Sequence, residues 1–152
     1  MLKHAYGPGL RATRDYATLA LLFGCGLRRS ELVGLTLDEV QVRQGHWAIA
    51  DLIGKGGHIR TVPIPQWAKA ALDRWIAAAG VTEGRIFRPV ARTERLWGQG
   101  ISQNVVWYVV KTCCITNPEN VCDLRRFLGC IALGSNGCEL SCGRGELGKR
   151  GS

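Results

Sequence analysis

Three residues of this sequence, two arginines and a lysine, have the charge and the local sequence context that phosphoryl chemistry requires. Arg28 lies in GCGLRRSEL at the expected entrance of a helix, Lys55 in the glycine-rich turn GKGG, and Arg125 in CDLRRF. A guanidinium is a planar fork that matches phosphate oxygens, so two arginines can clamp a phosphodiester. A lysine on a glycine turn can donate a proton to a leaving oxygen. The spacing alone also leaves open a simpler interpretation, in which three unrelated cations lie at the surface.

The overall charge favours a polyanionic partner. The 152 residues contain 20 Lys and Arg against 12 Asp and Glu, which gives a net charge of +8. Nucleic acid is the commonest partner of so basic a protein, although a basic surface can also simply keep a protein in solution. The hydrophobic fraction of 46% argues against disorder, and the length suits one domain with its own core.

Neither a membrane segment nor a cofactor site is predicted. The longest uncharged apolar run, Tyr16–Leu27, is shorter than the ~20 residues that span a bilayer, and MLKHAYGPGL lacks the apolar core of a signal peptide. We therefore expect a cytoplasmic protein with reduced thiols. Six of the seven cysteines lie from Cys113 onward without a CxxC pair or a nearby histidine, so we expect no metal and no other cofactor.

Helices and a small sheet must position the three cations. Apolar residues at helical spacing predict a helix over residues 15–23, ended by glycines, and a short second helix over 30–35. From Val40 the period changes to two, which predicts strands near the ranges 40–43, 46–53 and 58–64.

Helices return after the sheet, with an apolar stripe from Trp67 to Ala79. RIF at 85–87 could form a short strand, followed by a polar loop and a helix after Ser102 that carries Val105, Tyr108 and Val109; a last helix is expected near Leu124. The prediction is an α+β, mainly helical fold over residues 1–128 with a small three-stranded antiparallel sheet. Residues 129–152 form a Gly/Cys-rich tail that we expect to be poorly ordered.

Three motifs resemble those of the tyrosine recombinases, the phage integrase family. The segment RDYATLALLFGCGLRRSELVGLTLDEVQ looks like the opening of their catalytic domain, and its residues 26–32 match the motif G-L-R-x-S-E-L. Residues 54–63 match the hairpin motif G-K-G-x-x-x-R-x-V-P, and residues 122–125 match H-x-L-R in part. The similarity covers roughly residues 10–128. It implies a catalytic domain without the core-binding domain that normally precedes it.

The resemblance implies a role for each matching residue. Arg28 and Arg125 would hold the scissile phosphate, and Lys55 would protonate the 5′-oxygen leaving group. Glu31 would be a buried partner that orders the arginine helix, and Arg60 would also be structural. No metal is needed, because the arginines supply the charge stabilisation.

Double-stranded DNA is the partner that the resemblance implies, with other recombinase protomers as further candidates. Arg29, at the unspecified position of the first motif, and four arginines of a later loop are expected to contact its backbone, although solvent-exposed basic residues explain them nearly as well. The predicted contacts are Arg29, Arg85, Arg88, Arg92 and Arg95.

The sequence also departs from the family in its later part. Cys122 replaces the histidine of H-x-L-R and cannot reproduce the proton handling of imidazole. No L-G-H motif follows Arg125, and no tyrosine follows Tyr108. Tyr6, Tyr16 and Tyr108 are interpreted as core residues.

These departures predict a DNA-binding catalytic-domain fragment without autonomous strand transfer. The abrupt loss of the family pattern suggests that the tail is read out of its original frame. Two alternatives remain: a recombinase that uses a tyrosine supplied in trans, and a basic nucleic-acid module with a cysteine-held metal.

Overall fold

The computed structural model describes residues 9–54 and 56–116, with the backbone only for 114–116. This part of the chain contains four α-helices, three strands and a short 3-10 helix at Leu37–Glu39. The helices are α1 (Leu10–Cys25), α2 (Arg29–Gly34), α3 (Gln66–Ala79) and α4 (Gln103–Thr116). The strands are β1 (Val40–Arg43), β2 (His46–Ile53) and β3 (Ile59–Pro63). Several predictions lie outside the described residues: Tyr6, Lys55, Cys122, Arg125, the helix near Leu124 and the tail 129–152.

Helix α1 is longer than its apolar periodicity predicts. It begins at Leu10, five residues before the predicted start, because its first turn is attached to a distant loop. The Glu94 carboxylate accepts a hydrogen bond from the backbone N–H of Leu10, and the Arg11 guanidinium donates to the Val90 carbonyl at 3.0 Å. The helix ends as predicted, at Gly26 in the left-handed conformation that glycine favours, with φ 62°.

The sheet confirms the predicted α+β fold. Its strands are antiparallel in the order β1-β2-β3. Gln44 and Gly45 form the tight turn between β1 and β2, both with positive φ, as two-residue hairpins with the twist of a sheet require. The register between β2 and β3 shifts between Ile49 and Leu52, where Asp51 also has a positive φ of 55°. This irregularity has the features of a β-bulge.

The core lies mainly between α1 and α3, and residues 85–87 contribute to it as loop rather than as a strand. The predicted strand is reduced to a single bridge between Arg85 and Thr36. Ile86 and Phe87 are fully buried, and the Ile86 N–H donates to the Leu35 carbonyl at 3.0 Å. The segment is therefore shaped by core packing, which a three-residue apolar run does not reveal.

Two aromatic residues that we expected to be buried are exposed. Tyr108 is 70% exposed, so its interpretation as a core residue is wrong. Helix α4 buries its valines at 106, 109 and 110 instead, and position 108 lies on the opposite side of the helix. Trp67, in the predicted apolar stripe of α3, is 47% exposed. Tyr16, by contrast, packs against the core as predicted.

We expect Trp75→Phe to lower the free energy of unfolding by about 1–2 kcal/mol. The Trp75 indole is buried, stacks on Phe87 with ring centroids 6.4 Å apart, and donates its N–H to the Ile86 carbonyl at 3.0 Å. Phenylalanine keeps an aromatic ring but leaves that buried carbonyl without its donor. Urea denaturation measures the change, with Trp97→Phe as the control, since Trp97 is 63% exposed. Equal stability of the two variants would contradict this account of the core.

Candidate functional site

Arg28 is held at the entrance of α2 by Glu31, three residues further on. Arg28 is the residue before the first helical turn, in an extended conformation with φ −72° and ψ 154°. The Glu31 carboxylate accepts hydrogen bonds from the Arg28 backbone N–H at 2.7 Å and from its Nη1 at 3.1 Å. The first of these bonds is half of the reciprocal pattern that commonly starts a helix. The same carboxylate therefore begins the helix and orients the guanidinium.

Arg60 reaches the same carboxylate from β3. Its Nη2 donates to Glu31 Oε2 at 3.0 Å, which links the sheet to the arginine helix. The Glu31 side chain is only 4% exposed, whereas those of Arg28 and Arg60 are 49% and 42% exposed. One buried negative charge thus lies between two half-exposed positive charges. The cluster has a net charge of about +1, and its exposed guanidinium groups can present further N–H donors to an anion.

The base of the Lys55 hairpin lies against this cluster. The Gly54 N–H donates to the His58 carbonyl at 2.8 Å, and the Gly57 N–H donates to the Gly54 carbonyl at 3.2 Å. A Cβ built on Gly54 would lie 3.5 Å from Arg28 Nη1 and 3.9 Å from Glu31 Oε1. Lys55 itself is outside the described residues, but a side chain on its neighbour Gly54 would already touch the arginine cluster. The fold therefore brings Arg28 of the first motif close to Gly54 of the second, 26 residues further along the sequence.

Arg29 faces Trp107 of α4. Its guanidinium carbon lies 5.6 Å from the centroid of the indole ring, within the range of a cation–π interaction. Arg29 is half-buried and Trp107 is 42% exposed, so the pair lies at the surface close to the Arg28 entrance. The sequence reasoning missed Trp107. Helical periodicity cannot find it, because the contact depends on how α2 and α4 pack.

The four loop arginines do not have equivalent surroundings. The Arg85 side chain lies against Gly100, where a Cβ would come within 2.8 Å of Arg85 Cδ. Arg88 donates from Nη2 to the Glu83 carbonyl at 2.7 Å and from Nε to the Arg85 carbonyl at 3.3 Å, so its guanidinium closes a turn.

Arg92 and Arg95 lie further along the same loop and are exposed. Neither side chain makes a salt bridge or side-chain hydrogen bond within the part of the chain that the structure describes. These two arginines are therefore better placed than Arg88 to contact an external anion.

The described cysteines are poor nucleophiles. Burial raises the pKa of the Cys25 thiol to about 11 and also raises the pKa of Cys113, so little thiolate is present at neutral pH. Across residues 9–54 and 56–116, no group of His, Cys, Asp and Glu side chains could hold a metal ion.

The described helices contain no candidate for a membrane span. None of them combines the length and the apolar character that crossing a bilayer requires.

Comparison with known proteins identifies the family of this chain. The sequence model of the phage integrase family matches residues 2–116. The chain is 35% identical over 103 residues to tyrosine recombinase XerD of Pseudomonas aeruginosa, covering 64% of this chain and 32% of that protein. It is 39% identical over 79 residues to tyrosine recombinase XerC of Stutzerimonas stutzeri, covering 50% and 25% respectively. The chain thus spans about a quarter to a third of the length of these relatives. Because the family match extends over most of its length, the chain belongs to the phage integrase family.

Proposed function

We propose that this protein is a DNA-binding catalytic-domain fragment of a site-specific tyrosine recombinase. The observation that carries the proposal is the cluster of Arg28, Glu31 and Arg60 with the base of the Lys55 hairpin against it. A buried carboxylate that holds two half-exposed guanidinium groups keeps them in place before an anion arrives. Preorganised cations of this kind stabilise the charge that develops on a phosphate in the transition state.

The remaining parts of the site come from the family motifs. We propose that Arg125 completes the clamp on the scissile phosphate with Arg28, and that Lys55 protonates the 5′-oxygen leaving group. Glu31 and Arg60 then act as positioning residues, since the Glu31 carboxylate accepts hydrogen bonds from both Arg28 and Arg60 and so ties the arginine helix to β3. The neighbouring Arg29, held by Trp107, contacts the DNA backbone. No metal enters this scheme, because guanidinium groups provide the positive charge.

Strand cleavage also needs a nucleophile, and we propose that this chain lacks one. No tyrosine follows Tyr108, and Cys122 occupies the family's histidine position. The proposed function is therefore DNA binding without autonomous strand transfer, carried by residues 1–128, with the tail 129–152 outside the domain. Reading the coding DNA in its other two frames tests the origin of the tail. Absence there of an L-G-H motif and a downstream tyrosine codon would rule out a shifted frame.

A salt titration tests the proposed DNA binding. We expect weak, sequence-tolerant binding to duplex DNA, with a slope of log K against log salt that reflects about −0.9 per phosphate contact. Replacing both Arg92 and Arg95 with glutamine should flatten the slope by up to about 1.8. The matched pair of changes at Arg85 and Arg88 should flatten it less, because the Arg88 guanidinium is bound to main-chain carbonyls. An unchanged slope with all four arginines replaced would exclude this loop as a contact surface.

A further inference from the structure

Residues 89–97 form a short hairpin, which we call the 89–97 hairpin. Val90 and Leu96 form an antiparallel bridge. The Ala91 N–H donates to the Arg95 carbonyl at 2.8 Å, and the Trp97 N–H donates to the Pro89 carbonyl at 3.0 Å. Three consecutive residue pairs are thus connected across the hairpin. The side chains at its surface are held by a defined backbone.

The two faces of this hairpin differ in character. Val90 is buried and Leu96 packs against the core, so one face points into the protein. Because side chains alternate along an extended strand, Arg95 and Trp97 share the opposite face on either side of Leu96. Trp97 is 63% exposed, which is high for the largest apolar side chain. The outer face therefore carries an exposed indole ring and, two residues before it, an exposed guanidinium.

The negative charge of the hairpin is directed away from that face. Glu94 accepts a hydrogen bond from the backbone N–H of Leu10, at the start of α1, where a helix carries partial positive charge. Arg11 donates from the same helix to the Val90 carbonyl at 3.0 Å. These two contacts attach the hairpin to α1 and occupy its one carboxylate. Arg92 and Arg95 then leave the exposed surface positively charged.

We propose that Trp97 and Arg95 form a contact site for an unpaired base of DNA, with Trp97 stacking on the base and Arg95 binding the adjacent phosphate. The proposal rests on the proposed DNA binding and adds the form of DNA that the hairpin prefers. In an intact duplex the faces of the bases are covered by their neighbours, so an indole ring gains little from stacking there. At a gap an unpaired base offers its π face, and such stacking is tolerant of sequence.

Binding to two DNA molecules at the same salt concentration tests this site. One is an intact duplex, and the other carries the same sequence with a short single-stranded gap. Trp97→Leu should weaken binding to gapped DNA by about 10-fold and change binding to the duplex by no more than about twofold. Trp97→Phe, which keeps an aromatic ring, should retain most of the affinity for gapped DNA. Arg95→Gln should weaken binding to both molecules and flatten the salt slope by about 0.7–0.9.

The outcomes separate this inference from the function on which it rests. If the wild-type protein binds neither DNA, the proposed function fails. If it binds both, and Trp97→Leu matches the wild type on gapped DNA, the stacking site does not exist. If Trp97→Leu weakens binding to the gapped DNA and to the duplex equally, the preference for an unpaired base is also overturned. Quenching of tryptophan fluorescence by gapped DNA should be larger in the wild type than in Trp97→Phe, which reports stacking directly.

Discussion

On a suicide DNA substrate, the isolated protein is expected to form no covalent adduct, whatever the enzyme concentration. Cleavage requires an oxygen nucleophile in line with the phosphate held by Arg28 and Arg125. Electrostatic stabilisation by the arginines does not replace an attacking group. No tyrosine occurs after Tyr108, and the described thiols, at Cys25 and Cys113, have pKa values raised by burial. Denaturing gel electrophoresis and mass spectrometry of the reaction measure the adduct.

Mixing this chain with a second recombinase shows whether it lacks only the nucleophile or also lacks a working phosphate clamp. The full-length XerD relative from Pseudomonas aeruginosa, with its own motif arginine replaced, serves as a donor of tyrosine alone. If cleavage appears only in the mixture, this chain supplies a working clamp and accepts a tyrosine in trans. An adduct formed without the partner would prove the proposal wrong. Tyr108→Phe would then show whether the exposed Tyr108 is the nucleophile.

The largest loss of stability is expected from Glu31→Ala, at about 2–3 kcal/mol in the free energy of unfolding. The change removes an acceptor of three hydrogen bonds and leaves Arg28 and Arg60 facing each other without the charge between them. The loss is smaller than for a fully buried ion pair, because both guanidinium groups are about half exposed and water can reach them. Urea denaturation of the full chain measures it.

Two further variants show what the carboxylate contributes. Glu31→Gln should be intermediate, since its amide oxygen can still accept from the Arg28 backbone N–H while its charge is lost. Glu83→Ala, at an exposed position, should stay within about 0.5 kcal/mol of the wild type. If Glu31→Ala is as stable as Glu83→Ala, Glu31 does not hold the cluster together.

Much of the architecture could be predicted because it follows from local rules. The change of period at Val40 and the Gln44–Gly45 turn predict the strands of the sheet, and the structure confirms them. The end of α1 was also predicted, since glycine accepts the left-handed conformation that follows a helix. The start of α1 was not, because it depends on two contacts of its first turn with a loop about 80 residues away: Leu10 with the Glu94 carboxylate, and Arg11 with the Val90 carbonyl.

By itself, the sequence determined the fold class and the family. It also predicted three site cations, of which Lys55 and Arg125 lie outside the described residues and stay predictions. Motif spacing carries this information because each motif is a local segment with its own turn or helix start. Only the tertiary structure decided that Glu31 joins Arg28 to Arg60, that Arg29 faces Trp107, and that Tyr108 is exposed. The contacts of Glu31 with Arg60 and of Arg29 with Trp107 join elements far apart in the chain. They depend on which face of each helix packs into the core, and a one-dimensional pattern does not contain that information.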